Sequence, residues 1–197
     1  MTRAPTDEPT LVNTPLSSLP NRGAVLVSAG RRVDAADASV PRFPQKNVSR
    51  VQSQIENFLD QQKPAAIVSS AACGADLLVL ESGLGDDVPC HILLPSSPDE
   101  FRRSSVADRP GDWGTIYDAV LKDSEVEVLT LPSGDEGYLE VNRKLLDKAQ
   151  VLAAAGNAPV SALVIWNMES RGVDDVTAHF LNEARRRNIP VTEISTL

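Results

Sequence analysis

A chain of 197 residues, 42% hydrophobic and 4% aromatic, is long enough for one domain with a sizeable core. Its formal charge of −8 argues against a general duplex-DNA or anionic-membrane binder, because Lys and Arg carry phosphate affinity; a local basic pocket stays allowed. With only Cys73, Cys90, His91 and His179 among the soft ligands, the chain has neither a disulfide framework nor a zinc set, so no metal or cofactor is expected.

Residues 1–23 hold four prolines and no sustained periodicity, and read as a disordered or loosely attached arm. No signal peptide is recognisable ahead of the first strand, and no apolar run approaches the ~20 residues of a membrane span. A cytoplasmic location is the expectation. Residues 24–28 (A-V-L-V-S) predict a short buried strand without alternation, as parallel sheets prefer. A long loop over 29–46 follows, and loops of that length inside compact domains are often functional.

Val48, Val51, Ile55, Phe58 and Leu59 lie at three-to-four spacing and predict a helix over 47–62. A second strand over 65–70 drops into small residues and feeds a helix over 74–84. Strands are expected at 89–94, 126–131, 160–166 and 189–194, and helices at 99–105, 113–122, 135–155 and 174–187. Strands alternating with helices over short connections mean βαβ units. The expectation is α/β: one doubly wound, Rossmann-like sheet of about six mostly parallel strands over 24–197, with helices on both faces.

Ligands of such sheets bind beyond the carboxyl ends of the strands, near the switch in strand order. That rule selects Ser28, Gly30, Arg31 and Arg32 after the first strand, and Ser70, Cys73, Gly74 and Asp76 after the second. It adds Phe101 and Ser105 after the third, and Glu169, Arg171 and Thr177 after the fifth. The stretch V-S-S-A-A-C-G-A-D-L-L-V-L-E over 68–81 has the form of a strand, a small-residue turn and a helix start. Unpartnered amides there, with no bulky side chain nearby, form an expected anion site; a tight turn packed for its own sake is the alternative.

Arg31 and Arg32 read as a bidentate phosphate clamp, or as a solvated pair on a loop. Cys73 reads as a thiol activated by a helix end, or as a packed small residue. Asp76 either complements the helix dipole or accepts from a ribose hydroxyl or base N–H. Glu81, expected to be partly embedded, has Arg102 or Arg103 as candidate partners.

Ser28, Gly30 and Asp34, then Pro41-Arg42-Phe43-Pro44, then Ser70-Ala71-Ala72-Cys73-Gly74-Ala75-Asp76 with Glu81, continue through His91-Ile92-Leu93-Leu94-Pro95, Phe101, Ser105 and Trp113. In that order they resemble the SLOG superfamily, the Rossmann-like group that includes the DprA/Smf and Lonely-Guy proteins. The likeness is nearer still to a bacterial branch found beside cyclase, TIR or repeat domains, and covers about residues 24–194. It implies a site for a nucleotide or nucleotide derivative, often as a sensor in signalling or conflict. Gly30, Arg42, Ser70, Cys73, Gly74, Asp76 and Thr177 carry over as ligand candidates.

Two departures matter. Arg31-Arg32 stand where relatives often have His-Met, and Asp174-Asp175 stand near where they often have Gly-Gly before Thr177-Ala178. Those acids would repel a phosphate, so the anion is expected at Gly74 and the arginines. The Lonely-Guy motif Pro-Gly-Gly-x-Gly-Thr-x-x-Glu is not intact, which leaves a base–ribose hydrolase as the alternative, with Glu81 and Glu169 as its candidate carboxylates. A structural or oligomerisation module is the third reading. The expected partner is a small-molecule nucleotide, with no duplex nucleic acid and no membrane, and homo-oligomerisation left open.

Overall fold

The computed structural model describes residues 23–132 and 134–197, so the arm expected over 1–23 lies outside the described residues except at Gly23. Six short runs rich in Val, Ile and Leu form the strands: β1 (Val25–Gly30), β2 (Ala66–Ser69), β3 (Cys90–Leu94), β4 (Glu125–Val128), β5 (Val160–Trp166) and β6 (Val191–Ser195). Between them lie α1 (Val48–Gln62), α2 (Ala75–Gly85), α3 (Pro98–Phe101), α4 (Trp113–Lys122), α5 (Asp135–Gly156) and α6 (Val176–Arg186). The strands join in one all-parallel sheet of order β4-β3-β2-β1-β5-β6. The α/β, Rossmann-like expectation holds.

Side chains alternate across a strand, and β1 shows the result. Leu26 points into a core with Ile55 of α1, Leu77 of α2 and Tyr117 of α4. Val25 and Val27 point into a second core with Leu145 of α5 and Phe180 of α6. Helices therefore cover both faces. The chain walks outward from β1 to β4, then α5 carries it back to place β5 against the other side of β1, with Gly30 opposite Ile165. Strand order reverses between β1 and β5, and crevices form at such a point.

Several boundaries moved for local reasons. Strand β4 stops at Val128 rather than running on to residue 131, because Thr130 takes a left-handed φ of 54°. The helix expected over 99–105 is a single α turn, capped by Ser97, followed by a π-helical turn over Arg102–Val106 closed by Ala107 N–H to the Arg102 carbonyl at 2.8 Å. Helix α6 begins at Val176 because Asp175 is its N-cap. Among the described residues no helix is long and apolar enough to cross a membrane.

The long loop after β1 is anchored rather than free. Phe43 is fully buried in the α1/α2 core, the Arg42 amide donates to both Asp34 carboxylate oxygens at 3.0 and 3.2 Å, and the Thr196 hydroxyl donates to the Arg42 carbonyl. Truncating a fully buried aromatic removes its transfer energy and leaves a cavity. Phe43→Ala should cost about 3–5 kcal/mol in urea denaturation; a loss below about 1 kcal/mol would show the loop is not held by its core contact.

Candidate functional site

Arg31 leaves β1 at the switch point and is 5% exposed. Its Nη1 and Nη2 donate to the two oxygens of Asp175 at 2.6 and 2.7 Å, its Nε to Asn167 Oδ1 at 2.9 Å, and Nη2 also to the Glu169 carbonyl at 2.7 Å. The guanidinium further stacks 5.6 Å from the Trp166 ring. Asp175 in turn accepts from the amides of Thr177 at 3.0 Å, Ala178 at 3.1 Å and Arg171 at 2.7 Å. Burial alone would raise the Asp175 carboxyl, but Arg31 and these amides outweigh it and hold the group at about 2. Arg31 is therefore a structural clamp and not the phosphate clamp its position suggested. The acid expected to deny phosphate the α6 end does so by capping it.

The turn between β2 and α2 also departs from expectation. Gly74 has φ 91°, and a Cβ there would lie 2.8 Å from the Val33 amide nitrogen and 2.9 Å from the Arg31 carbonyl. The Ala75 amide donates to that carbonyl at 3.1 Å, and the Cys73 amide to the Ser105 carbonyl at 3.0 Å. Small residues here admit the protein's own backbone, so the open anion crevice anticipated at this helix start is filled by residues 31–33. Cys73 is fully buried; burial pushes its thiol up, although Arg32 Nε, donating to Sγ at 3.4 Å, pulls the other way. The thiol is packed, not activated. Arg32 also pairs with Asp108.

A cleft of about 390 Å³ opens beside this turn, at the carboxyl ends of β1, β2 and β5. Seven of the ten expected ligand residues line it: Gly30, Arg31, Arg32, Arg42, Ser70, Asp76 and Thr177. Ser28, Cys73 and Gly74 do not; Ser28 is fully buried within the sheet. Gly30 is explained by packing, since a Cβ would lie 2.4 Å from the Ala75 Cβ and from the Ile165 carbonyl. Neither carboxylate proposed for hydrolysis lines the cleft: Glu169 contributes its carbonyl to Arg31, and half-buried Glu81 pairs with neither Arg102 nor Arg103. Burial and the neighbouring Glu56 raise Glu81, while Arg102 pairs with Asp118 at 2.9 Å.

Residues that sequence reasoning passed over or left aside complete the lining. Arg109 arrives from the loop after the π turn, and Tyr138 and Asn142 from α5; Arg171, which the strand-end rule selected, joins them from the loop before α6. Tyr138 Oη and Ser105 Oγ share a hydrogen bond of 2.8 Å, and Asn142 Nδ2 donates to the Val176 carbonyl at 2.8 Å. The side chain of Arg42 has no ion-pair or hydrogen-bond partner among the described residues, and Arg109 reaches only Asp108 at 3.8 Å while its buried Nε has no partner. Deep in the cleft, Asp76 is 5% exposed; Oδ2 accepts from Ser70 Oγ at 2.7 Å and the Ala72 amide at 3.3 Å, and Oδ1 has no partner. Burial lifts this carboxyl to about 6 against the pull of Ser70 and Ala72; the Gly30 amide acts in the same sense without reaching hydrogen-bond geometry.

No family model and no curated protein sequence matches the chain. A DNA-processing protein shares its fold. The X-ray structure of DNA processing protein A (DprA) from Streptococcus pneumoniae superposes with a TM-score of 0.52 at 14% identity, covering 87% of this chain and 50% of that one. The chain thus spans half the length of DprA, and the likeness is one of fold. It corrects one expectation. Duplex nucleic acid was excluded on the net charge of −8, yet a DprA-like fold belongs to a DNA-processing protein, so that exclusion is withdrawn. Charge is local here: five arginines line the cleft against the acids Asp34 and Asp76.

The two buried acids should leave opposite marks on stability. Asp175, held at about 2 against ~3.9 unfolded, stabilises the fold above the unfolded value, and this is lost as pH falls through about 2. Asp175→Asn should cost about 3–5 kcal/mol at pH 7, narrowing below pH 4, in urea titrations; an unchanged midpoint would contradict the clamp. Asp76, held at about 6, penalises the fold at higher pH, and the penalty fades as pH falls from about 6 towards ~4. Asp76→Asn should gain stability relative to the parent by about 1–3 kcal/mol more at pH 8 than at pH 4, and equal differences at both would count against its burial as an anion.

Proposed function

We propose that the chain is a cytoplasmic domain that binds a nucleotide or nucleotide derivative in the β1/β5 cleft, acting as a ligand sensor of the SLOG type rather than as an efficient catalyst. The observation that carries this is the pair of under-neutralised guanidiniums, Arg42 and Arg109, lining one cleft with the buried acceptor Asp76. Arg42 has no carboxylate partner among the described residues and Arg109 only the distant Asp108 at 3.8 Å, which leaves both suited to phosphate, met in a planar, bidentate fashion. The volume of about 390 Å³ sits at the small end of the ~300–1,000 Å³ typical of ligand sites, the size of a mononucleotide. Phe101, Val40 and Ala38 add apolar surface beside the charges, suited to a base or sugar. The DprA-like fold agrees with a ligand that belongs to nucleic-acid chemistry. A hydrolase reading gains no support, because Glu81 and Glu169 lie outside the cleft lining.

Thermal-shift and calorimetric titration with AMP, GMP, CMP and UMP tests the proposal. Binding at 100 times Kd stabilises a protein by about 2.7 kcal/mol, a rise in Tm of several degrees. Arg42→Ala and Arg109→Ala should each weaken binding at least ~10-fold, the equivalent of about 1.4 kcal/mol. No shift with any of the four would overturn the proposal.

A further inference from the structure

The arginines account for an anion, but they leave the Ser70–Asp76 pair without a role. Ser70 is half-buried and lines the cleft, and its hydroxyl proton is directed at Asp76 Oδ2 over 2.7 Å. What Ser70 then offers the cleft is a lone pair. Asp76 has its other oxygen, Oδ1, without a partner, in a side chain 5% exposed that also lines the cleft. Around it stand the Ala72 amide, already donating to Oδ2, the Gly30 amide, which faces the carboxylate without reaching hydrogen-bond geometry, and the Arg32 guanidinium, already engaged by Asp108 and Cys73. A buried acceptor left unpaired is destabilising, so the cleft keeps an acceptor that a ligand can satisfy.

Resting on the nucleotide reading, we infer that the ligand carries, besides its phosphate, an N–H or O–H donor that is received by Asp76 Oδ1 and Ser70 Oγ. The cleft is thus two-ended: guanidinium donors for the anion, and a serine–carboxylate acceptor pair for an amine or hydroxyl. Sites built to meet a ligand donor reject analogues that lack it, because the buried acceptor is left unpaired again. Three parts of a mononucleotide present this chemistry: the exocyclic amine of the base, the ring N–H of guanine or uracil, and the ribose hydroxyls. The same cleft should discriminate against nucleotides from which the relevant group has been removed.

The experiment is calorimetric titration of the parent, Asp76→Asn and Ser70→Ala with AMP, GMP and CMP, with the deamino and 2′,3′-dideoxy analogues of the tightest binder (and its N1-methyl analogue where that is GMP), and with pyrophosphate as a probe of the anion end alone. Asp76→Asn is isosteric but puts an N–H donor where Oδ1 was. It should weaken the best nucleotide at least ~10-fold and leave pyrophosphate affinity within ~2-fold, with Ser70→Ala falling between. One of these analogues should bind the parent about as weakly as the intact nucleotide binds Asp76→Asn, and lose nothing further in the variant; which one does so identifies the donor. Nucleotide binding that is unchanged in Asp76→Asn overturns this inference and leaves the nucleotide proposal standing. Equal loss of pyrophosphate and nucleotide overturns it too, by showing a general disturbance of the cleft. Absence of nucleotide binding in the parent removes both.

Discussion

The ion pair between Arg31 and Asp175 is the contact on which this end of the molecule depends. It joins the residue that follows β1 to the N-cap of α6, with Asn167 and the Glu169 carbonyl, just past β5, held in the same fork. Both partners are buried, and a buried pair holds only when each remaining donor and acceptor is met. Here the Arg171, Thr177 and Ala178 amides meet the carboxylate, and the Trp166 ring lies along the guanidinium. The strands on either side of the topological reversal are thereby locked, and the wall of the cleft with them.

That clamp also decides where an anion can go. In many doubly wound sheets a helix N-terminus at the reversal is the phosphate site. In this chain α6 is closed by its own aspartate and α2 by the backbone of residues 31–33, so neither helix end is free. Positive charge that remains available comes instead from side chains on loops, Arg42 and Arg109 above all. Arg42 is fixed in turn by its backbone, through Asp34 and Thr196, which leaves its guanidinium to the cleft. A chain acidic overall thus concentrates cations at one opening.

Most of the framework was legible in the sequence, because it rests on local signals. Unbroken apolar runs marked the buried strands, and Val160–Trp166 and Trp113–Lys122 fall where periodicity and composition put them. The strand-end rule reached nine cleft residues with no alignment, Phe101, Ser105 and Arg171 among them, while Arg42 came from the family resemblance. What stayed hidden is a matter of partners. Arg31, Arg32 and Arg42 are the same side chain in one loop, yet one is buried in a fork, one is paired with Asp108 and one is unpaired among the described residues; only tertiary contacts distinguish them. The small residues over 71–74 correctly announced a close approach of something, but spacing does not tell a ligand from the chain's own backbone. Arg109 carried no signal at all, since the π turn that delivers it comes from one extra residue per turn rather than from any pattern of apolar positions.

The central claim is that guanidiniums on loops, not helix N-termini, receive an anion at the reversal between β1 and β5. Its most direct measurement is a crystal structure of the protein soaked with the mononucleotide that binds best, with the phosphorus located in the density. The account predicts the phosphate within hydrogen-bond reach of both the Arg42 and Arg109 guanidiniums, with the Arg31–Asp175 pair intact. A phosphate seated instead on the first amides of α2 or α6, with Arg31 or Asp175 displaced, would contradict it.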